Sequence, residues 1–212
     1  VEYSAPSGST PRQLRELPAW ARGMRTVQWR ASDPNGDPLR YRVQVRAEGA
    51  AAWIELAKDL EQPAHTWDTS ALPDGRYRVR VLAGDEAGNA VGEEAVAEGV
   101  SQPFTVDNTP PAVTALEARG EPGAVRVRGT ARDEASPLQR IEVSLDDGPW
   151  RVVMPDGGFT DDRSHAFEVR LEAVERGGHT VGVRVVDLAG NSAVRAEVVE
   201  VAGAVSGGAR PR

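Results

Sequence analysis

The sequence predicts an all-β protein built as two β-sandwiches in tandem. Three observations predict it: short runs of alternating apolar and polar residues, turn residues between them, and one pattern written twice about 100 residues apart. Alternation with a period of two turns one side of a strand inward and the other to water. About seven such strands per hundred residues is the density of a sandwich. No stretch carries a convincing helical period, and in PRQLRELPAWARG two prolines limit any helix to a turn.

In the first half, strands are expected over 24–32, 39–47, 52–57, 64–68, 76–84 and 100–106, with an edge strand near 12–17. In YRVQV, Tyr41, Val43 and Val45 point one way while Arg42 and Gln44 point the other. Tyr77, Val79, Val81 and Ala83 behave likewise. The second half repeats the plan. VQWRAS before Asp33 matches VRVRGTAR before Asp133, and Pro38-Leu39 matches Pro137-Leu138. Ile141, Val143 and Leu145 then alternate, Trp150 follows as Trp53 does, and HTVGVRVVD matches RYRVRVLAGD. From Asp33 to Asp85 is 52 residues, and from Asp133 to Asp187 is 54. A period this long is too large for a solenoid unit and means two homologous units.

The two halves meet at DNTPP, 107–111. Its prolines preset φ and cannot donate ladder bonds, so pairing stops there and the spacer is short and stiff. The expected units are 12–108 and 109–202, with 1–11 and 203–212 as extended or disordered tails. The phrase DEAGN at 85–89 returns as DLAGN at 187–191. It falls between strands in both copies. Gly88-Asn89 and Gly190-Asn191 are expected to supply positive backbone angles, with Asp85 and Asp187 accepting backbone N–H bonds.

Composition narrows the function. The net charge of −7 and pI near 5.1 give no global pull toward nucleic acid or anionic lipid. Cysteine is absent, which removes disulfides, thiolate nucleophiles and cysteine metal sites together. No apolar run approaches the ~20 residues of a membrane span. VEYSAPSGSTP has no basic-then-apolar leader pattern and no starting Met, so the chain reads as a processed protein or a piece of a longer one. His65, His165 and His179 are scattered, and no nucleophile elbow or phosphate loop occurs. Asp146-Asp147 and Asp161-Asp162 sit in turn-like stretches where solvated charge is ordinary. The expectation is a non-enzyme without a cofactor.

Trp29, YRVQVRAEGAAAWIEL at 41–56 and LPDGRYRVRV at 72–81 make the first half resemble a fibronectin type III module. In that family a Tyr on strand F, preceded by Leu and Pro, bonds its hydroxyl back to the loop, and Leu72, Pro73 and Tyr77 match with a segment one residue shorter. The second half, where His179 stands for the tyrosine, is similar to a bacterial immunoglobulin-like module. SDPNGDPLRY, TWDTSALPDGRY, DNTPP and DLAGN together resemble the tandem module at the C-terminal end of large secreted bacterial proteins, often after a β-propeller. The resemblance implies two immunoglobulin-like, fibronectin type III-like sandwiches. It also implies a non-catalytic extracytoplasmic appendage, in the periplasm or at the cell surface, that spaces or docks a larger secreted protein.

Two candidate sites follow. Arg40, Arg42 and Arg46 on the outward side of one strand, and Arg76, Arg78 and Arg80 on another, would share one sheet face if these are neighbouring strands C and F. Like charges directly opposed destabilise a strand pair, so the ladder needs acidic neighbours such as Glu48, Glu55, Glu93 and Glu94, or a partner. That partner would be another domain of the parent protein, another extracytoplasmic protein or an anionic polysaccharide. The second candidate is weak calcium. Asp33, Asn35 and Asp37 alternate oxygen ligands in DPNGDP, and Asp85, Glu86, Asp107 and Asn108 are loop and linker acids and amides that would meet near the junction. The EF-hand pattern fails, since Gly36 is fourth and Gln44 twelfth, and a turn held by Asx bonds is the plainer reading. The second copy offers only Asp133 and Glu134 at the place of 33–37. Trp29, Trp53, Trp67 and Trp150 are expected to pack as core, and Trp20 to lie in a proline-flanked loop. A further alternative is a strand-exchange polymer in which VEYSAPSG is donated to a neighbour's sheet edge.

Overall fold

The computed structural model describes residues 23–86, 88, 95–159 and 161–202. The edge strand expected near 12–17, Trp20, Asn89, Glu93, Glu94, the VEYSAPSG segment and the tail from 203 lie outside the described residues.

Among the described residues every strand pairing is antiparallel, and none crosses residues 107–111. In the first half, β1 (Met24–Gln28) pairs with β4 (Ala64–Asp68). Opposite them runs the sheet β3 (Ile54–Leu60), β2 (Arg40–Ala47), β5 (Gly75–Gly84), β6 (Val96–Val100), with β7 (Phe104–Val106) on the start of β5. The alternation of the sequence sets what lies inside. Val43, Val45, Tyr77, Val79, Trp67 and Val106 are buried together, with Val27, Trp29, Leu56, Leu60, Leu72 and Phe104 packed against them.

The ends of several strands differ from expectation for local reasons. Of the run expected over 100–106 only Val100 and 104–106 are strand: β6 lies almost wholly ahead of it, and β7 begins after Pro103, which has no N–H to give the ladder. β3 continues past 57 to Leu60 through a bulge near Asp59, whose φ is +55°. β1 stops at Gln28, and Trp29 N–H turns to the Pro63 carbonyl, 3.1 Å away.

In the second half, β8 (Ala112–Glu121), β9 (Ala124–Arg132) and β12 (Ser164–Glu172) form one sheet in the order β12-β9-β8. β11 (Arg151–Val153), β10 (Leu138–Leu145), β13 (Gly177–Asp187) and β14 (Ser192–Val201) form the other in that order. Val125, Val127, Ile141, Val143, Phe167, Val181, Val183 and Val185 fill the space between. Phe167 lies against Gly129, where an added Cβ would stand only 2.5 Å from the ring. The close approach of that ring is what requires the glycine.

Candidate functional site

The arginine face forms as a sheet surface. β2 and β5 are neighbours, and Gln44 stands across from Arg80 and Arg46 from Arg78. The face supplies its own counter-charges. Arg40 pairs with Glu61, Arg42 with Glu55 at 3.4 Å, Arg76 and Arg78 with Glu48 at 3.3 and 3.4 Å, and Arg80 with Glu98 at 3.5 Å. Arg80 also donates twice to Gln44 Oε1. Trp53, expected in the core, lies instead on this outer surface, with the guanidinium carbons of Arg46 and Arg80 at 4.4 and 4.6 Å from its ring centroid. The residue sits just before β3 beside the polar side of β2, so its ring covers arginine and not the apolar layer. Such stacks contribute about 0.5–2 kcal/mol each, more than most exposed ion pairs. Trp150 behaves the same way in the second half, over Arg184 at 4.5 Å, with Gly182 beneath the ring.

Two corners fix the start of the central strands. Tyr77 OH donates to the Pro73 carbonyl at 2.8 Å, four residues back. His179 makes the same reach, Nε2 to the Glu175 carbonyl at 2.9 Å, while its Nδ1 meets Asp146 Oδ2 at 2.6 Å. Both partners are acceptors, which favours the doubly protonated ring. Hydrogen bonding to Asp146 raises the His179 pKa above its ordinary value and lowers that of Asp146.

The predicted calcium residues divide between opposite ends of the first sandwich. Asp33 Oδ1 accepts the N–H groups of Asn35 at 2.7 Å and Asp37 at 3.1 Å, so this loop is an Asx turn. Asp85 Oδ1 accepts Ala95 N–H at 2.7 Å, beyond the last residue of β5. Asp107 and Asn108 follow Val106, which pairs with Gly75 at the first residue of β5. Ten extended residues separate those ends by roughly 30 Å. The grouping of Asp85 and Glu86 with Asp107 and Asn108 is therefore replaced by a different one.

Asn108 belongs to the first sandwich. Its Nδ2 donates to the carbonyls of Thr69 and Leu72 at 3.1 and 2.9 Å, its N–H to Asp74 Oδ1 at 2.6 Å, and Thr109 Oγ1 bonds to the same carboxylate. Asp107, one residue earlier, belongs to the second. Ser136 Oγ donates to its Oδ2 and Asn191 Nδ2 to its carbonyl at 3.0 Å. The linker is thus hydrogen-bonded to both halves within two residues.

Around Asp107 the second sandwich gathers Asp133, from the loop after β9, and Asp187, at the end of β13. One carboxylate oxygen of each lies within 4.8 Å of the others. The three residues are 7 %, 3 % and 0 % exposed, so their charges are largely withdrawn from water. Burial raises the pKa of Asp107 despite the Ser136 bond, and Asp133 and Asp187 push it the same way. Burial also raises that of Asp187, against the bonds from Asn191. Asp187 Oδ1 accepts Asn191 N–H and Oδ2 accepts Asn191 Nδ2, both at 2.8 Å. Of the turn residues expected at positive φ, Gly190 is there at +87°; Gly88 and Asn191 are not, and Asn191 acts through its side chain. The phrase DLAGN carries a cluster member as well as a turn. Asp133 was visible in the sequence only as a counterpart of Asp33, and no spacing rule joins it to Asp107 and Asp187.

The strand order in each half, β1-β4 facing β3-β2-β5-β6 and β12-β9-β8 facing β11-β10-β13-β14, is that of a fibronectin type III-like sandwich, and the chain is a tandem of two. No family model matches the sequence, and no curated protein matches it. Solved structures similar to it include the FN1–FN3 domains of chicken CNTN1, at 12% identity and a TM-score of 0.41, covering 84% of this chain and 63% of that one. The fibronectin(III)-like modules of Clostridium thermocellum CbhA match at 14% identity and 0.41, covering 91% of this chain and 92% of theirs. Dimeric latent PorU from Porphyromonas gingivalis matches at 15% and 0.41, covering 82% of this chain and 21% of that one. The chain thus spans less than two thirds of the first of these. Among the described residues no helix is long and apolar enough to cross a membrane.

Proposed function

We propose that this chain is a non-catalytic extracytoplasmic module that holds its two sandwiches at a fixed spacing within a larger secreted protein or assembly. The observation that carries this reading is the bonded linker. Asn108 and Thr109 are tied to Thr69, Leu72 and Asp74, while Asp107 is tied to Ser136 and Asn191. With Pro110 and Pro111 restricting φ next to these contacts, few rotations remain between the two anchors. A linker serving only as a tether would need none of these bonds. Docking through the arginine face is the alternative, and the ion pairs speak against it: an acidic glycan or protein would have to displace Glu48, Glu55, Glu61 and Glu98 first.

The chain has no cysteine, so spin labels at Lys58→Cys and Asp156→Cys report one distance without background. A narrow distance distribution is expected, broadening when Asp74→Ala and Asn108→Ala remove the anchor on the first sandwich. A parent distribution as broad as that of a variant with a Gly-Ser insertion after Asn108 would rule out the spacer.

A further inference from the structure

We infer that Asp107, Asp133, Asp187 and Asn191 form a calcium site that clamps the linker to the loops of the second sandwich. It is a different site from the DPNGDP loop, and it stands on the carboxylate geometry whether or not the spacer reading holds.

Three carboxylates with oxygens within 4.8 Å of one another, in residues no more than 7 % exposed, repel strongly. Among the described residues no arginine or lysine pairs with any of them. The hydrogen bonds they accept come from neutral donors: Thr109 N–H and Ser136 Oγ on Asp107, Ala135 and Ser136 N–H on Asp133, and Asn191 on Asp187. Neutral donors steady an anion without cancelling its charge.

A second observation points at a ligand. Asp133 Oδ2 and Asn191 Oδ1 are buried and have no hydrogen-bond partner, in residues 3 % and 0 % exposed. Buried acceptors are nearly always satisfied, so two orphans at one cluster each call for a partner. The Asn191 amide stands within the group, since its Nδ2 bridges the Asp107 carbonyl and Asp187 Oδ2. One cation bound by both orphan oxygens would satisfy them and offset the repulsion together.

The donors choose the ion. All are hard oxygens, with no nitrogen or sulfur among them, which excludes a zinc-type preference. Calcium accepts six to eight oxygens in flexible geometry, whereas magnesium demands a near-ideal octahedron and keeps several waters. A buried, irregular set of carboxylates and an amide suits the larger ion. Since Asp107 is the linker's own residue, occupancy would hold the linker against the loops at 133–136 and 187–191.

The test uses the full chain stripped with a chelator and titrated with CaCl2, read by calorimetry and by thermal melting of the second sandwich. Binding is expected on the order of 10⁻⁴–10⁻³ M, as in extracellular modules. The melting midpoint should rise by roughly 5–20 °C at about 10 mM calcium. Asp133→Asn keeps an oxygen for the Ala135 and Ser136 N–H bonds and removes the unpartnered anion. It should melt no lower than the parent in chelator and lose the calcium response at least tenfold. A role confined to loop structure would instead lower its melting in chelator and leave calcium without effect. No heat and no shift in the parent up to about 10 mM calcium would overturn the site, as would an undiminished response in Asp133→Asn. An equal response to MgCl2 would overturn the choice of ion. Spin-label distances that stay broad while calcium still binds would sink the spacer and leave this site standing.

Discussion

Both sandwiches carry a matching pair of aspartates, Asp33 after β1 and Asp85 after β5 in the first, Asp133 after β9 and Asp187 at the end of β13 in the second. Among the described residues only the second pair joins a buried carboxylate cluster. Asp33 spends its Oδ1 on its own loop, and Asp85 holds Ala95, whereas Asp133 and Asp187 approach a third carboxylate delivered by the linker. The segment ahead of the first sandwich reads GSTP at 8–11 where the linker reads DNTP at 107–110, so Gly8 occupies the sequence place of Asp107. Duplication alone therefore does not make the cluster. What makes it is a residue that belongs to one repeat by sequence order and to the other by packing.

The cores invite the same comparison, and the largest predicted effect tests whether the copies are independent. Trp67 and Phe167 each stand two residues after a histidine, on β4 and β12, and each lies in its own core. Phe167 is 2 % exposed and Trp67 9 %. Truncation of either to alanine should cost about 3–5 kcal/mol, with the cavity at Phe167 the more enclosed. Hydrogen exchange in increasing urea should show each change lowering protection in its own sandwich alone. Equal loss in both would mean that the two halves unfold as one unit.

A smaller effect is expected at the corner of the first sandwich. Tyr77→Phe removes the bond to the Pro73 carbonyl and leaves the ring in place beside Phe104. About 1 kcal/mol of stability should go, since the carbonyl is only part-buried and water can reach it. Urea midpoints would show this. A change within error would mean that the corner is held by ring packing rather than by the hydroxyl.

Much of the architecture was legible in period-two alternation. Tyr41, Val43, Val45, Tyr77 and Val79 are buried as their spacing requires, and the pairing of β2 with β5 brings the arginines onto one face. Strand ends were less legible where one residue decides: β7 begins only after Pro103, and Asp59 at positive φ lengthens another strand. Trp53 and Trp150 misled because aromatic residues usually signal core, whereas here each ring covers a guanidinium outside it. The carboxylate cluster was hardest to foresee. Asp107, Asp133 and Asp187 come from three separate segments; in the sequence Asp107 groups with Asp85 as a calcium candidate, Asp133 is only the counterpart of Asp33, and Asp187 reads as a turn residue. In DLAGN the spacing of Asp187 and Asn191 was visible, but that they would face Asp107 depended on tertiary structure.

The second corner separates the copies most finely. Tyr77 bonds one acceptor through its hydroxyl, whereas His179 bonds two, Asp146 Oδ2 and the Glu175 carbonyl, and only the charged ring can donate to both. Its pKa is raised from 6.5, chiefly by the Asp146 bond, with Glu200 adding to the effect. A raised histidine stabilises the fold fully below the unfolded value and stops doing so as pH climbs through the folded one. Asp146, lowered from 3.8, contributes above its unfolded value and loses that contribution in acid. The pair is one interaction seen from two ends, so it is intact between those limits and weakens on the alkaline side of 6.5. Melting of the second sandwich should therefore fall between about pH 6 and pH 9, while that of the first stays level. His179→Tyr, which copies the first corner, should flatten the second profile. Were the parent equally flat, the neutral ring would suffice, leaving one of its two acceptors to be satisfied by water.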